Sequence, residues 1–413
     1  MHRSHWLDHI NWSYGVLDMS NIVKGIVLFL AVASIYSCKT ARIARRAAPA
    51  DTTQVVEIDS LPMTIIEEVI EVAEKPAIDT TLLTEENDTI CIIGVGDIMM
   101  GTNYPKASYL PPKGTNLLDS VKRILRNADV TFGNLEGVLL DDGGTPKKCR
   151  NPDACYVFRS PEYMALHLLD AGFDVMSVAN NHTGDFGNTG RENTARVLDS
   201  LKINFAGTLE RSHATFTLNE INYGFAAFAP NTGTVSLHDI EVAKSLVQML
   251  DSISDIVIVS FHGGAEGKNH QHIPRESETY YGEDRGDVYA FSHTLIDAGA
   301  DVIFGHGPHV TRAIEVYNDR FIAYSLGNFC TYARFNLSGP NGMAPIVKLQ
   351  VNRRGEFLAG KVFPTKQVGL GMPIIAKDKG VIFKIRELTH IDIPETKIVV
   401  DDNGNINYLK QDF

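Results

Sequence analysis

The chain has 413 residues, 44% of them hydrophobic and 21% charged, an ordinary balance for a globular body with a large core. Its 50 acidic against 38 basic side chains give a net charge of −12, which excludes a nonspecific binder of nucleic-acid backbones, because that role needs a basic face. Five cysteines over this length exclude a disulfide scaffold.

The first segment reads as an export signal rather than as part of the fold. From Met19 a short polar stretch with Lys24 leads into a nearly unbroken apolar run over residues 25–33, then Ser34 to Ser37 and Cys38. The run is shorter than the roughly 20 residues that span a bilayer. Cys38 directly after Ser37 resembles a bacterial lipoprotein processing site, so a lipidated Cys38 and a membrane-anchored envelope protein are expected. An ordinary signal peptide or an uncleaved anchor is the competing reading. Met19 reads as the true start, since the signal is complete without the residues before it. Residues 39–87 read as a flexible tether: Arg42, Arg45 and Arg46, then an acidic stretch rich in Thr, Glu and Val.

From residue 88 strands alternate with amphipathic helices. Ile92, Ile93, Gly94, Val95 and Gly96 form a strand that leads into Asp97. A helix is expected over 117–125, where Leu117, Leu118, Val121, Ile124 and Leu125 repeat at helical spacing. Val130, Thr131, Phe132 and Gly133 lead into Asn134, Leu135 and Glu136. Cys149 and Cys155 share a short loop; in an exported protein a local disulfide between them is expected. Ser160 and Pro161 open a second helix, ended by Gly172. The strand over 175–179 leads into Asn180, Asn181 and His182, with Asp185 just beyond. A helix over 193–201, a hairpin turning at 219–222 and a helix over 236–253 follow. The strand over 256–261 leads into His262, and Glu266, His270 and His272 lie in the loop after it. A helix over 288–298 precedes the strand over 302–305, which leads into His306, Gly307, Pro308 and His309. Strands over 321–324, 346–351 and 361–363 follow, with Asn328 and Arg334 after the first. Residues 381–408 read as short strands, a β-rich extension from 371 to 413 beyond a main body of 88–370.

Five apolar strands thus end in carboxylate, amide or imidazole residues. In an α/β sheet neighbouring strands deliver their carboxyl ends to one edge, where ligands bind. Carboxylates, amides and imidazoles gathered there make a site for one or two divalent cations such as Mn, Zn or Fe. Two such ions could acidify a bridging water and clamp the attacking and leaving oxygens, giving a metal-bound hydroxide as nucleophile. His182 beside a ligand is placed to protonate a leaving group, and Asp185 to orient its ring. Arg334 is a candidate for an anionic substrate, and Glu266 a second candidate at the rim.

Taken in order, Asp97, Asn134-Leu135-Glu136, Asn180-Asn181-His182 with Asp185, His262-Gly263-Gly264-Ala265-Glu266, His306-Gly307-Pro308-His309 and Tyr324 to Phe329 resemble one family over about residues 90–330. It is the bacterial capsule synthesis (CapA, poly-γ-glutamate synthesis) family, within the calcineurin-like metallophosphoesterase superfamily. The resemblance implies a four-layer αββα sandwich. It implies metal ligands at Asp97, at Glu136 or Asn134, at Asn181, and at His262, His306 and His309. The chain departs from the superfamily where an Asp-x-His motif becomes Asp97-Ile98-Met99. The implied function is metal-dependent hydrolysis of a phosphoester or related bond in the cell envelope. The implied partners are an anionic exopolymer or phosphoester substrate, the membrane and other capsule-assembly proteins. Two alternatives stay open: a non-catalytic assembly or anchoring component, and an amide hydrolase or transferase acting on polyglutamate.

Overall fold

A computed structural model describes residues 89–149 and 155–409. Cys38, the export signal and the tether lie outside the described residues. The chain first lays down β1 (Thr89–Met99), β2 (Val130–Leu135), β3 (Val175–Ser177) and β4 (Asn204–Ala206). It then builds β5 (His213–Leu218), β6 (Ile221–Phe228), β7 (Ile256–His262), β8 (Val302–His306), β9 (Ile314–Tyr317) and β10 (Arg320–Ala323). It returns with β11 (Asn328–Thr331), β12 (Ile346–Asn352), β13 (Phe357–Phe363), β14 (Ile398–Val400) and β15 (Asn405–Tyr408).

These strands form two sheets. The first has nine strands in the order β14-β15-β13-β12-β1-β2-β3-β4, with β11 pairing with β1. The second has six, in the order β9-β10-β8-β7-β6-β5. Pairing is parallel among β1, β2, β3 and β4, and among β6, β7, β8 and β10, so their carboxyl ends share an edge. One core lies between the sheets: Ile92, Val130, Phe132 and Val175 face Phe225, Ile258, Phe304 and Phe321. Phe132 stacks on Phe304 with ring centroids 5.1 Å apart.

Helices cover both outer faces. α1 (Lys122–Leu125), α2 (Ala165–Ala171) and α3 (Gly187–Ser200) lie over the first sheet, burying Leu125, Leu168 and Leu198 against Ile93, Val95 and Met176. α4 (Ile240–Asp251) and α5 (Val288–Asp297) lie over the second, where Val247, Leu250 and Leu295 meet Val257, Val259 and Ile303. The four-layer αββα architecture follows from these three cores. Gly172 ends α2 at φ 83, in the left-handed conformation glycine adopts without penalty. The first helix is shorter than its periodicity implies, because the side chain of Asn116 accepts from the Leu118 N–H and turns occupy the stretch before Lys122.

The C-terminal segment corrects the expected secondary structure. Residues 380–392 form α6 (Gly380–Asp392), not short strands. Val381, Ile382, Ile385 and Leu388 repeat at helical spacing and are buried. β14 and β15 are not an appendage; they complete one edge of the first sheet by pairing with β13. Among the described residues no helix is long and apolar enough to cross a membrane.

Candidate metal centre

The register of the sheets brings the sequence-selected residues to one edge. Asp97 on β1 lies opposite Asn134 on β2 and opposite Asn328 on β11. His262 ends β7 directly opposite His306, which ends β8. The close approach at this edge needs a residue without a side chain at Gly96, where a Cβ would fall 1.9 Å from the Gly327 carbonyl oxygen. That carbonyl accepts the Asp97 N–H at 2.8 Å. Gly307, at φ 111, turns the chain after His306 tightly against Gly263.

Asp97 and Glu136 are fully buried. Asp97 Oδ1 lies 3.0 Å from His306 Nδ1, and Oδ2 lies 2.8 Å from His309 Nδ1. Burial opposes the charged form of Asp97, but the hydrogen bonds to His306 and His309 outweigh it and hold the carboxyl well below its ordinary range. Glu136 is pushed the other way, up to about 8, first by burial and then by the charge of Asp97. Glu136 is ringed by imidazoles: His262 Nδ1 at 3.7 Å, His309 Nε2 at 3.9 Å and His182 Nε2 at 4.0 Å. Burial works against the charged form of His309, but its bond to Asp97 wins and raises it to about 10. Burial, then the nearby Arg285 guanidinium, holds His262 well below its ordinary value. Ligand atoms of Asp97, Glu136 and His262 all lie within 4.8 Å of one another, a spacing one cation can bridge.

The amides divide differently from expectation. Asn134, a candidate ligand in the sequence, donates to Asp97 Oδ1 at 2.8 Å and to Glu136 Oε2 at 2.7 Å. Its own oxygen faces Asn180 Nδ2 at 3.2 Å. As placed, Asn134 ties the two carboxylates together, and the carboxylate that reaches the centre is Glu136. Asn180, given no role by the sequence reading, locks the next turn: it donates to Leu135 O at 2.8 Å and accepts the His182 N–H at 3.0 Å. Asn181 Oδ1 is buried without a hydrogen-bond partner, the condition of an oxygen left for a ligand.

His182 is buried beneath Phe158, with ring centroids 4.2 Å apart. Its Nδ1 lies 2.8 Å from Asp185 Oδ2. Burial lowers its affinity for a proton, Asp185 opposes that, and Lys147 adds to it. Lys147 escaped the sequence reading: its Nζ lies 2.6 Å from Asp185 Oδ1. The disulfide expected between Cys149 and Cys155 is present, two residues beyond Lys147.

The two rim candidates behave differently. Glu266 is held by Arg285 at 2.8 Å and is turned partly outward. Arg334 lies over the rings of Tyr109 at 4.6 Å and Tyr156 at 5.1 Å. The next residue, Phe335, packs on Phe158 and against His309. Phe335, rather than Arg334 itself, makes the contact with His309. Neither Asn328, whose side chain donates to His309 O and Asn341 O, nor His270 and His272 join the centre; His272 pairs with Asp392.

Residues 91–333 match the family model for the bacterial capsule synthesis protein PGA_cap. The capsule biosynthesis protein CapA of Bacillus anthracis is 29% identical over 265 residues, which cover 59% of this chain and 60% of that protein. The PGA biosynthesis protein CapA of Bacillus subtilis is 29% identical over 275 residues, 62% of this chain and 66% of that protein. The chain therefore spans less than two thirds of the length of either relative. A putative 5'-nucleotidase from Staphylococcus aureus overlaps 73% of this chain and 58% of its own at 12% identity and a TM-score of 0.39, and nothing about the site rests on that overlap.

Proposed function

This chain belongs to the bacterial capsule synthesis protein PGA_cap family, and we propose that it is a metal-dependent hydrolase of the cell envelope that cleaves a phosphoester or related bond in an anionic, capsule-type substrate. One observation carries the reading. Glu136 Oε1, Asn181 Oδ1, both ring nitrogens of His262 and Nε2 of His306 are buried with no hydrogen-bond partner. Each such atom costs about 1–3 kcal/mol unless something compensates it. A divalent cation held by Asp97, Glu136 and His262, with His306, His309 and Asn181 as further donors, compensates several at once. The donor set of carboxylate, amide and imidazole suits Mn, Zn or Fe(II). When bound, such a cation acidifies a water and polarises the bond under attack.

The chain's own residues supply the rest. Asn134 ties the two carboxylates to one amide nitrogen. His182 directs Nε2 toward Glu136 Oε1 and keeps Nδ1 on Asp185; in the doubly protonated ring, which Asp185 favours and burial and Lys147 oppose, the Nε2 proton can pass to a leaving oxygen. Phe158 and Phe335 exclude water from that side. Arg334, stacked on two tyrosines, offers the edge of its guanidinium to a carboxylate or phosphate of the substrate. Attachment through a lipidated Cys38 would hold this body near the membrane and the capsule-assembly proteins that share the polymer.

A second reading, a non-catalytic assembly component, draws on the closed network in which His306 and His309 already occupy both oxygens of Asp97. Amide cleavage or transfer on polyglutamate would use the same centre. Elemental analysis of the purified protein, with hydrolysis assays on a phosphodiester and on polyglutamate, separates these readings. The expected result is bound divalent metal, phosphodiester hydrolysis abolished by chelation, and its return on adding metal. Absence of both metal and turnover favours the assembly role; turnover of polyglutamate alone favours the amidase. For the anchor, Cys38→Ala is expected to move the protein from the membrane fraction to the soluble one.

A further inference from the structure

Asp185 carries more than the orientation of one ring. It is fully buried. Oδ2 faces His182 Nδ1 at 2.8 Å and also accepts the backbone N–H of Phe158. Oδ1 meets the ammonium of Lys147 at 2.6 Å, and the same ammonium donates to Asn181 O at 3.0 Å. The Lys147 backbone N–H donates to Asp185 O at 2.8 Å. Lys147 precedes Cys149 and Phe158 follows Cys155, and these cysteines are bonded to each other. Both limbs of a disulfide-closed loop are therefore fastened to Asp185, one through Lys147 and the other through Phe158.

We propose that Lys147 is a positioning residue for His182, acting through Asp185 and by its own approach to within 3.4 Å of His182 Nδ1, and that the Cys149–Cys155 disulfide is the clamp that keeps it there. The proposal rests on the reading of His182 as proton donor. An imidazole turns easily about its last torsion, and the partner of one ring nitrogen decides where the other points. Here that partner is a carboxylate with two oxygens. With Oδ1 pinned by a point charge, Oδ2 stays aimed at Nδ1, and Nε2 stays aimed at the centre. Without the ammonium, the buried carboxylate has lost its cation and must turn or draw in water, because an unpaired buried charge is costly. His182 would then lose its fixed direction while the carboxylate and imidazole ligands of the centre kept all their partners; among the proposed donors only Asn181, whose backbone carbonyl accepts from the same ammonium, would lose a contact.

Lys147→Met keeps the aliphatic stem and removes the charge; Lys147→Arg restores a cation. On an ester with a poor leaving group, Lys147→Met is expected to lower kcat about tenfold, part of the roughly 10²–10⁴-fold a general acid supplies, with KM unchanged. Esters with good leaving groups should lose less, and Lys147→Arg should recover most of the loss. Opening the clamp with Cys149→Ser and Cys155→Ser together should reproduce the same pattern more weakly. Independently of turnover, the Nδ1–H proton of His182 in a histidine-labelled NMR spectrum should be visible in the parent, lost in Lys147→Met and present in Lys147→Arg. A folded Lys147→Met that keeps this signal and the parent's leaving-group dependence overturns the proposal. If Lys147→Met does not fold, Lys147→Gln takes its place; if neither neutral variant folds, the residue is structural and the proposal is overturned. A parent that hydrolyses nothing, yet whose His182 signal depends on Lys147, retains the positioning role and loses the hydrolase reading. A hydrolytic parent with Lys147 variants of unchanged leaving-group dependence retains the hydrolase and loses the positioning role.

Discussion

The two sheets bring different chemistry to their shared edge. The first contributes carboxylates and amides already bonded to one another: Asn134 joins Asp97 to Glu136, and Asn180 joins Asn134 to the turn that carries His182. The second contributes imidazoles whose nitrogens are only partly engaged, His262 having no hydrogen bond at either one and His306 none at Nε2. The first wall is a preorganised frame that leaves Glu136 Oε1 and Asn181 Oδ1 without partners; the second leaves His262 and His306 Nε2 without them, while His306 and His309 hold Asp97. Removing a frame residue, or an imidazole bonded to Asp97, should disturb folding and binding together, whereas removing His262 should disturb binding alone.

Asp97→Ala should break the comparison most severely, since both walls meet at that carboxylate. Metal measured by elemental analysis should fall by at least about a hundredfold in affinity, the upper range seen for supporting residues and a floor for a ligand. His306→Ala and His309→Ala should each lower metal affinity by about tenfold to a hundredfold, and in metal-free protein each also takes one of two partners from the buried Asp97, so the melting temperature should fall with it. Unchanged metal content in both would remove the second sheet from the centre. Asn134→Leu tests the frame: it leaves two buried carboxylates without their shared donor and should cost about 1–3 kcal/mol in denaturant unfolding, even in metal-free protein.

Proton competition sharpens the contrast further. In the metal-free protein Glu136 is raised to about 8 and His309 to about 10, so both hold protons at neutral pH. A ligand must shed its proton to bind, so affinity for Mn should rise with pH from 6 to 8, by up to about tenfold per unit for each proton displaced. Calorimetric titration at several pH values checks this, and a flat response would contradict it. The smallest effect is expected at the rim, where Arg334→Gln should raise KM about fivefold for an anionic substrate, the loss of roughly one charge-assisted hydrogen bond, and leave kcat unchanged.

Much of this arrangement was legible in the sequence for a simple physical reason. An apolar run broken by Asp97, or stopped at His262 or His306, reads as a buried strand delivering a polar group near its end; β7 and β8 do so at their last residues and β1 two residues before its end. The partition of Asn134, Asn180 and Asn181 between frame and ligand was not legible, because adjacent amides differ only in where the turn aims them. Lys147 left no pattern: a lysine in a cysteine-bearing loop looks solvated until Asp185, 38 residues later, is seen beside it. In the C-terminal segment, β-branched Val381, Ile382 and Ile385 suggested strands, while their spacing around Leu388 belonged to a helix that packs across the end of the first sheet.

The order in which the strands are laid down has a kinetic consequence. β1 pairs through Thr89 with Asn352, and Asp97 meets His306 and His309 across 209 and 212 residues of chain. Contacts so remote in sequence form late, after most of the loop-closure entropy has been overcome. During synthesis a half-emerged chain can contain β1 to β4 as an open ladder, with β1 still lacking its β11 and β12 neighbours and bare to any other strand it meets. Cation capture therefore cannot guide the early stages of folding; it must act as a seal on a structure already closed. A chaperone would protect the exposed ladder until β12 arrives.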